Sequence, residues 1–347
     1  MKRRIAYTTA ACTAAAVACS LIDRSSDFFG ADDKPITLAS TTSSATDLAL
    51  TDDYVFYRTS EGIFRVPKEG GAAELFVPMS ATHLASDGHH IIVWSNANTV
   101  LARRDDAGAA FFAVDASAQA VAVSDYDGAT RIAFALASEV DDSGAFQQRN
   151  GVVAFATEAG IVGGGIKGSG DTRISIASRE GQFYFTFGNT LAAETTPGGA
   201  PKDSIGNTSL YDCQIAGFQA GFPPDELIVD PALDAGVSAL MIDNAENGVH
   251  VYAATPACCY GLPDCEDVPP FPADQHTLTL YSGTIYRLKA DGTVARYPVS
   301  DVAKNAGFAN EYILVDGGVH GTYPVADGKS LFFVSGTNKI QRLTLPP

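Results

Sequence analysis

An internal repeat restricts the fold more than any other feature of this sequence. The stretch "TDLALTDDYVFYRTSEGIFRVPKEGGAAELF" begins at Thr46, and "THLASDGHHIIVWSNANTVLARRDDAGAAFF" begins 36 residues later, at Thr82. Each stretch alternates short aromatic or β-branched runs with turns rich in Asp, Asn and Gly. Four strands of about five residues, joined by tight turns, use about 30 to 40 residues. The repeat therefore has the length of one four-stranded blade of a β-propeller.

Weaker copies of the unit follow and begin at Gln119, Thr172, Ser238 and Gly321. The copy from Ser238 is interrupted by a long insertion, and we expect it to resume after the insertion as "GTIYRLKADGTVARYP". The sequence thus predicts an all-β fold, a propeller of six blades with four antiparallel strands each. A propeller of seven blades is the alternative, if "DELIVDPALDAG" contains a degenerate unit.

The two ends of the repeat region predict how the ring closes. The last copy stops at Pro347 before a fourth strand, whereas "KPITLAS", residues 34–40, precedes the first copy. An open ring would leave sheet edges unpaired, and such edges promote aggregation. We therefore predict that residues 34–40 supply the outer strand of the last blade, and that the propeller spans residues 35–347.

Two of the repeats resemble a known family. "GIFRVPKEGG" and "GTIYRLKADGT" are similar to the repeats of six-bladed propellers of the YWTD and NHL kind, including the propeller lipoproteins of bacteria. The YWTD tetrapeptide itself is replaced by "VFYR" in the first unit and by "IVWS" in the second. The resemblance implies the propeller fold and leaves the function open, because propellers serve binding, signalling and catalysis alike.

The amino terminus has the pattern of a secretory signal. In "MKRRIAYTTAACTAAAVACS", three basic residues precede an apolar run that ends in small residues. We interpret residues 1–18 as a signal peptide and residues 19–34 as a tether. "AVAC" resembles the lipobox of bacterial lipoproteins, although Ala16 stands where the family usually has Leu, and this implies a lipid on Cys19 and an anchor in the cell envelope. Ordinary cleavage after "AVA", which would leave a periplasmic or secreted protein, is the alternative.

The cysteines beyond the signal are expected to form disulfides. Cys213, Cys258, Cys259 and Cys265 would lie in an exported protein, where disulfides persist. Adjacent cysteines seldom bond each other, so we expect one of the adjacent pair to bond Cys265 and the other Cys213. A zinc site is the alternative, but a second thiol pair or histidines at matching distance are missing. The two disulfides would cross-link an insertion at about residues 253–282.

The mouth of the central channel, where the inner strands begin, is the usual ligand site of a propeller. The residues at those positions of the predicted units are Asp47, His83, Gln119, Arg173, His320 and Tyr323. This set suits an anionic sugar, or a metal ion held with Asp47. The simpler interpretation is a group of solvated strand ends, which any propeller would have. No catalytic or metal-binding motif accompanies the set, so we predict no catalytic residue, no cofactor and no bound metal.

The net charge of the chain argues against nucleic acid as a partner. The chain has 23 Lys and Arg against 40 Asp and Glu, and its formal net charge of −17 repels the phosphates of nucleic acids. We expect a monomeric, exported scaffold that binds or displays a surface for a protein or a glycan and meets the membrane only through its lipid. A secreted propeller enzyme of the lactonase or polysaccharide lyase type, with its site at the channel mouth, is the alternative.

Replacement of Cys19 tests the predicted anchor. If Cys19 carries the lipid, Cys19→Ala moves the protein from the membrane fraction to the soluble fraction, because the acyl chains supply the membrane affinity. Cys12→Ala, inside the signal, is the matched control and should leave the distribution unchanged. Cell fractionation followed by immunoblotting measures both variants. A Cys19 variant that stays in the membrane fraction would contradict the lipoprotein interpretation.

Overall fold

The described strands between residues 36 and 344 form a ring of small sheets. The computed structural model describes residues 34–106, 108–126, 128–136, 152–158, 160–167, 174–179, 182–187, 190–193, 213–214, 226–229, 239–245, 248–254, 271–273, 276–299 and 311–346. The strands in these ranges form seven antiparallel sheets of four strands each. The all-β propeller fold is therefore confirmed, and the number of blades is the higher of the two that the sequence allowed.

Blades 1 to 4 each take four strands in chain order. Blade 1 contains β2 (Thr46–Leu50), β3 (Tyr54–Thr59), β4 (Gly62–Pro67) and β5 (Glu74–Val77). Blade 2 contains β6 (His83–Ser86), β7 (Ile91–Ser95), β8 (Thr99–Arg104) and β9 (Phe112–Asp115). Blade 3 contains β10 (Ala118–Tyr126), β11 (Ala129–Leu136), β12 (Val152–Thr157) and β13 (Gly160–Lys167). Blade 4 contains β14 (Ile176–Arg179), β15 (Gln182–Phe187), β16 (Thr190–Ala193) and β17 (Cys213–Gln214).

Blades 5 to 7 complete the ring. Blade 5 contains β18 (Glu226–Val229), β19 (Ala239–Ala245), β20 (Gly248–Ala254) and β21 (Phe271–Ala273). Blade 6 contains β22 (Leu278–Tyr281), β23 (Thr284–Leu288), β24 (Val294–Pro298) and β25 (Tyr312–Val315). Blade 7 contains β26 (Gly321–Ala326), β27 (Ser330–Ser335), β28 (Lys339–Thr344) and β1 (Ile36–Ser40). The first strand of each blade is its inner strand, and each inner strand contacts the inner strands of the two neighbouring blades.

The copy that begins at Ser238 differs from its prediction. The sequence suggested one blade that is interrupted by the insertion and resumes as "GTIYRLKADGTVARYP". In the structure the two parts belong to separate sheets, because β18 ("ELIV") supplies an inner strand for β19 and β20, and β22 ("LTLY") supplies one for β23 and β24. The degenerate unit that the alternative count required is thus the inner strand of blade 5.

The ring closes through β1, as the sequence predicted. β1 pairs with β28 in antiparallel register, from Ile36 opposite Arg342 to Ser40 opposite Lys339. The next turn continues the contact, because the Ala45 amide donates to the Thr337 carbonyl at 2.8 Å. The outermost strand of the last blade therefore comes from the opposite end of the propeller sequence.

The middle strands of the blades are apolar on both faces because each sheet lies between two neighbours. In β7 ("IIVWS"), Ile91 and Val93 pack into the cluster shared with blade 3, whereas Ile92 and Trp94 pack into the cluster shared with blade 1. All four side chains are buried. The alternation of a strand thus divides its side chains between two interfaces, and the core is a series of such interfaces around the ring.

Arginines on the third strands link neighbouring blades. Arg342 of blade 7 donates to the Lys68 carbonyl of blade 1 at 2.8 Å and meets the Glu69 carboxylate at 2.8 Å. Arg65, at the corresponding position of blade 1, donates to the Asp105 carbonyl of blade 2. Both guanidiniums are mostly shielded from solvent, and a hydrogen bond from a shielded charged donor is worth more than an exposed one.

Several predictions concern residues outside the described ranges. These include the signal peptide (1–18), almost all of the tether (19–34), and Cys258, Cys259 and Cys265 of the predicted disulfides. Cys213 lies on β17, but its side chain is not described. Within the described ranges, no helix has the length and apolar character required to cross a bilayer.

Removal of β1 tests the closure of the ring. A chain that starts at Thr41 is compared with one that starts at Lys34, so the two differ only by β1 and the two residues before it. The shorter chain exposes the edge of β28 and loses the burial of Leu38 and Ala39 against blade 1. We expect its melting temperature to fall by about 5 °C or more, with increased aggregation. Equal melting temperatures in thermal unfolding followed by circular dichroism would contradict this role.

Candidate functional site

The inner strands bring their first residues together at one mouth of the ring. At this end, the Tyr323 amide of blade 7 donates to the His276 carbonyl, just before the inner strand of blade 6, at 2.6 Å. At the opposite end, the Ser86 hydroxyl of blade 2 donates to the Leu50 carbonyl of blade 1 at 2.6 Å. The inner strands of these blades therefore begin at one mouth of the ring and end at the other, as in a ring of equivalent blades.

Three inner strands carry a β-bulge at the same place. The register shifts between Thr46 and Leu48 in β2, between Ala118 and Ala120 in β10, and between Thr322 and Val325 in β26. The extra residue is Asp47 in β2 and Gln119 in β10, and in β26 Tyr323 and Pro324 together lie opposite Phe333. A bulge inserts one residue into a strand and re-aims its side chain, and bulges are frequent beside binding and active sites.

The backbone is left-handed at this mouth. Asp47 has φ 49°, His276 has φ 55° and Tyr323 has φ 53°. Such a conformation is uncommon for residues other than glycine and is an outlier for one as bulky as tyrosine. Each instance costs about 1 to 3 kcal/mol and persists where the surrounding structure imposes it, most often at functional sites.

A charge pair occupies the seam between blades 1 and 2. Arg58 Nε donates to Asp47 Oδ2 at 2.6 Å, and Arg58 Nη1 donates to the Ala81 carbonyl of blade 2 at 3.0 Å. The two side chains are 27% and 31% exposed, respectively. The guanidinium thus fixes the carboxylate beside its bulge, while both groups remain within reach of solvent.

His83 lies next to this pair, at the start of β6. Burial lowers its pKa, the nearby Arg58 guanidinium lowers it further, and the Asp47 carboxylate acts in the opposite direction. The direction of the shift favours the neutral imidazole at neutral pH. A neutral imidazole has one nitrogen that donates a hydrogen bond and one that accepts.

An aromatic pair extends the same arc to blade 6. The rings of His276 and Tyr323 stack with their centroids 4.5 Å apart and their planes 23° apart. Tyr323 also packs against the apolar cluster that joins blades 7 and 1. We call the whole set the mouth arc, and it consists of Asp47, Arg58, His83, Gln119, His276 and Tyr323.

His320 lies just before β26, on the seam between blades 6 and 7. His320 is exposed, and its ring approaches the turn at Gly292. It lines a cavity of about 310 Å³ on the seam between blades 6 and 7, together with Lys289 and Thr277. Lys289 is already paired with Glu311 at 2.9 Å. The sixth predicted residue, Arg173, lies outside the described residues.

Two members of the mouth arc, Arg58 and His276, were missed by the sequence analysis. Arg58 stands within the "VFYR" strand, where no pattern distinguishes it from an ordinary strand residue. His276 follows the long insertion, which concealed the start of the inner strand β22. Among the residues that the structure describes, no group of three His, Cys, Asp or Glu side chains is arranged to hold a metal ion.

Comparisons with known proteins show the fold alone. No protein-family model and no curated protein matches the chain. A chain of the Mitotic Checkpoint Complex superposes with a TM-score of 0.57 at 11% identity, over 91% of this chain and 96% of that chain. The AfRom2 CNH domain, a propeller-like fold, gives 0.56 at 8% identity, over 90% and 99%. The computationally designed Ika8 protein gives 0.50 at 13% identity, over 89% and 98%.

The lowered pKa of His83 predicts how stability depends on pH. The unfolded chain binds the imidazole proton more tightly than the folded protein, so stability falls as the pH drops below the ordinary value of 6.5. His83→Gln removes this contribution and should therefore lose less stability on acidification than the wild type does. The measurement is urea unfolding at about pH 7.5 and about pH 5.5. His320→Gln is the control, and a His83 variant as acid-sensitive as the wild type would contradict the assignment.

Proposed function

We propose that this protein is an exported β-propeller of the cell envelope that binds a protein or glycan partner at the mouth arc. The observation that carries the proposal is the bulge that recurs at Asp47, Gln119 and Tyr323. The export signal and the lipobox-like "AVAC" support the location, and the resemblance to bacterial propeller lipoproteins agrees with it.

The bulges are not a requirement of the propeller fold. The inner strand β6 pairs with β7 from His83 opposite Ser95 to Ser86 opposite Ile92 without any register shift. The inner strands β14 and β22 are equally regular against their partners. Since a blade forms well without a bulge, the bulged blades bear a local cost that closure does not explain. Positioning of side chains for a ligand explains it.

The site is held rigidly, as specific binding requires. Asp47 is fixed by Arg58, and Arg58 is fixed by the Ala81 carbonyl of the next blade. Tyr323 is held by a backbone hydrogen bond to His276 and by the stack with its ring. A partner therefore meets groups whose ordering entropy has already been lost on folding, and this raises affinity.

Gln119→Ala tests this function because it shortens a bulge side chain without touching the charge pair. Binding of purified cell-envelope polysaccharides and of purified envelope proteins is measured by biolayer interferometry. We expect about tenfold or greater loss of affinity for the bound partner, the effect of about 1.4 kcal/mol.

Asn98→Ala is the matched control for that experiment. Asn98 is exposed on the turn between β7 and β8, and that turn lies at the same end of the ring. It should bind as the wild type does. Equal binding by the Gln119 variant, with an unchanged melting temperature, would place the partner site outside the mouth arc.

A further inference from the structure

We infer that the ligand of the mouth arc is an uncharged, hydroxyl-rich ring, that is, a neutral sugar of a glycan. This inference rests on the proposed function and specifies the ligand class. It differs from the two ligands that the residue types alone suggested, an anionic sugar and a metal ion bound with Asp47.

The charges of the mouth arc are compensated within it. The Asp47 carboxylate is bound to Arg58 at 2.6 Å, so neither group is available as an unpaired charge for a ligand. Gln119 carries no charge, and the environment of His83 favours its neutral form. An acidic sugar would find no unpaired cation among the described residues Asp47, Arg58, His83 and Gln119, and the chain as a whole, at −17, repels anions.

The hydrogen-bonding groups of the arc match hydroxyl groups. A sugar hydroxyl both donates and accepts, so it can donate to the Asp47 carboxylate and accept from the Arg58 guanidinium. The amide of Gln119 and the imidazole of His83 each combine a donor with an acceptor. Charge-assisted hydrogen bonds from a compensated pair add strength without requiring a charged ligand.

An aromatic surface completes the match. The C–H face of a sugar ring is apolar, and aromatic side chains offer a flat, rigid surface of the same size. The stack of His276 and Tyr323, with centroids 4.5 Å apart, includes the residue at the β26 bulge, and both side chains are only half-buried. Ligand sites typically combine such apolar area with a few well-placed polar groups.

Titration of the full chain with saccharides tests the ligand class. The probes are oligosaccharides of glucose, galactose, mannose and N-acetylglucosamine, with polygalacturonate and a sulfated glycan as charged counterparts. Isothermal titration calorimetry is performed at about 50 and about 500 mM NaCl, since salt screens charge-driven binding. We expect at least one neutral oligosaccharide to bind with an affinity that changes less than about twofold between these salt concentrations.

Substitutions in the mouth arc test whether the sugar binds there. Tyr323→Ala should weaken it about tenfold or more, and Tyr323→Phe should retain most of it, because the ring face remains. If Tyr323→Ala does not fold, Gln119→Ala tests the same prediction, because it leaves Tyr323 in place. It should also weaken binding of the sugar. Asn98→Ala, on the turn between β7 and β8, should bind as the wild type does.

The outcomes separate this inference from the proposed function. Salt-sensitive binding of a charged glycan, or of a protein only, that Tyr323→Ala or Gln119→Ala abolishes would overturn the neutral-sugar inference and leave the proposed site intact. Failure of every neutral oligosaccharide to bind would overturn the inference as well. Binding of a neutral oligosaccharide that survives both substitutions would overturn the inference together with the proposed site.

Discussion

The pairing of β1 with β28 is the contact on which the rest of the molecule depends. It supplies the fourth strand of blade 7 and places Leu38 and Ala39 in the cluster that joins blades 7 and 1. Because each sheet is covered by a neighbour on both faces, the ring stabilises all its blades together. The mouth arc spans the same junction, since Tyr323 belongs to blade 7 and Asp47 to blade 1. The candidate site therefore exists only in the closed ring.

The physical origin of each feature determines how far it could be predicted. The repeat length and the buried strands follow from local pattern, and closure follows from the missing strand after Gly321. The number of blades was harder to predict from the sequence, because β18 is an isolated apolar run and the insertion hides the start of β22. Position along an inner strand was enough to select Asp47, Gln119 and Tyr323. Their bulges were not predictable, because a bulge is a mismatch between two paired strands and only the pairing reveals it.

The candidate site combines a strained backbone with compensated charge. Its left-handed residues cost about 1 to 3 kcal/mol each, and the apolar interfaces between blades supply the stability that tolerates this cost. The acidic surplus of the chain lies outside the Asp47–Arg58 pair, where it favours solubility and repels anions. The local chemistry of the site and the overall charge therefore act separately. The site selects the shape and polarity of a ligand, whereas the net negative charge repels anionic ligands at a distance.

The seam of the ring also affects when the protein can finish folding. Thr41 and Asn338, which are hydrogen bonded at this seam, lie 297 residues apart in the sequence. Among the described strands, β1 is synthesised first and its partner β28 last, so this edge stays open while the other described strands are made. Contacts between such distant residues form slowly because loop closure is entropically costly. A chain interrupted before β28 cannot close the ring, and an edge left unpaired in this way promotes aggregation.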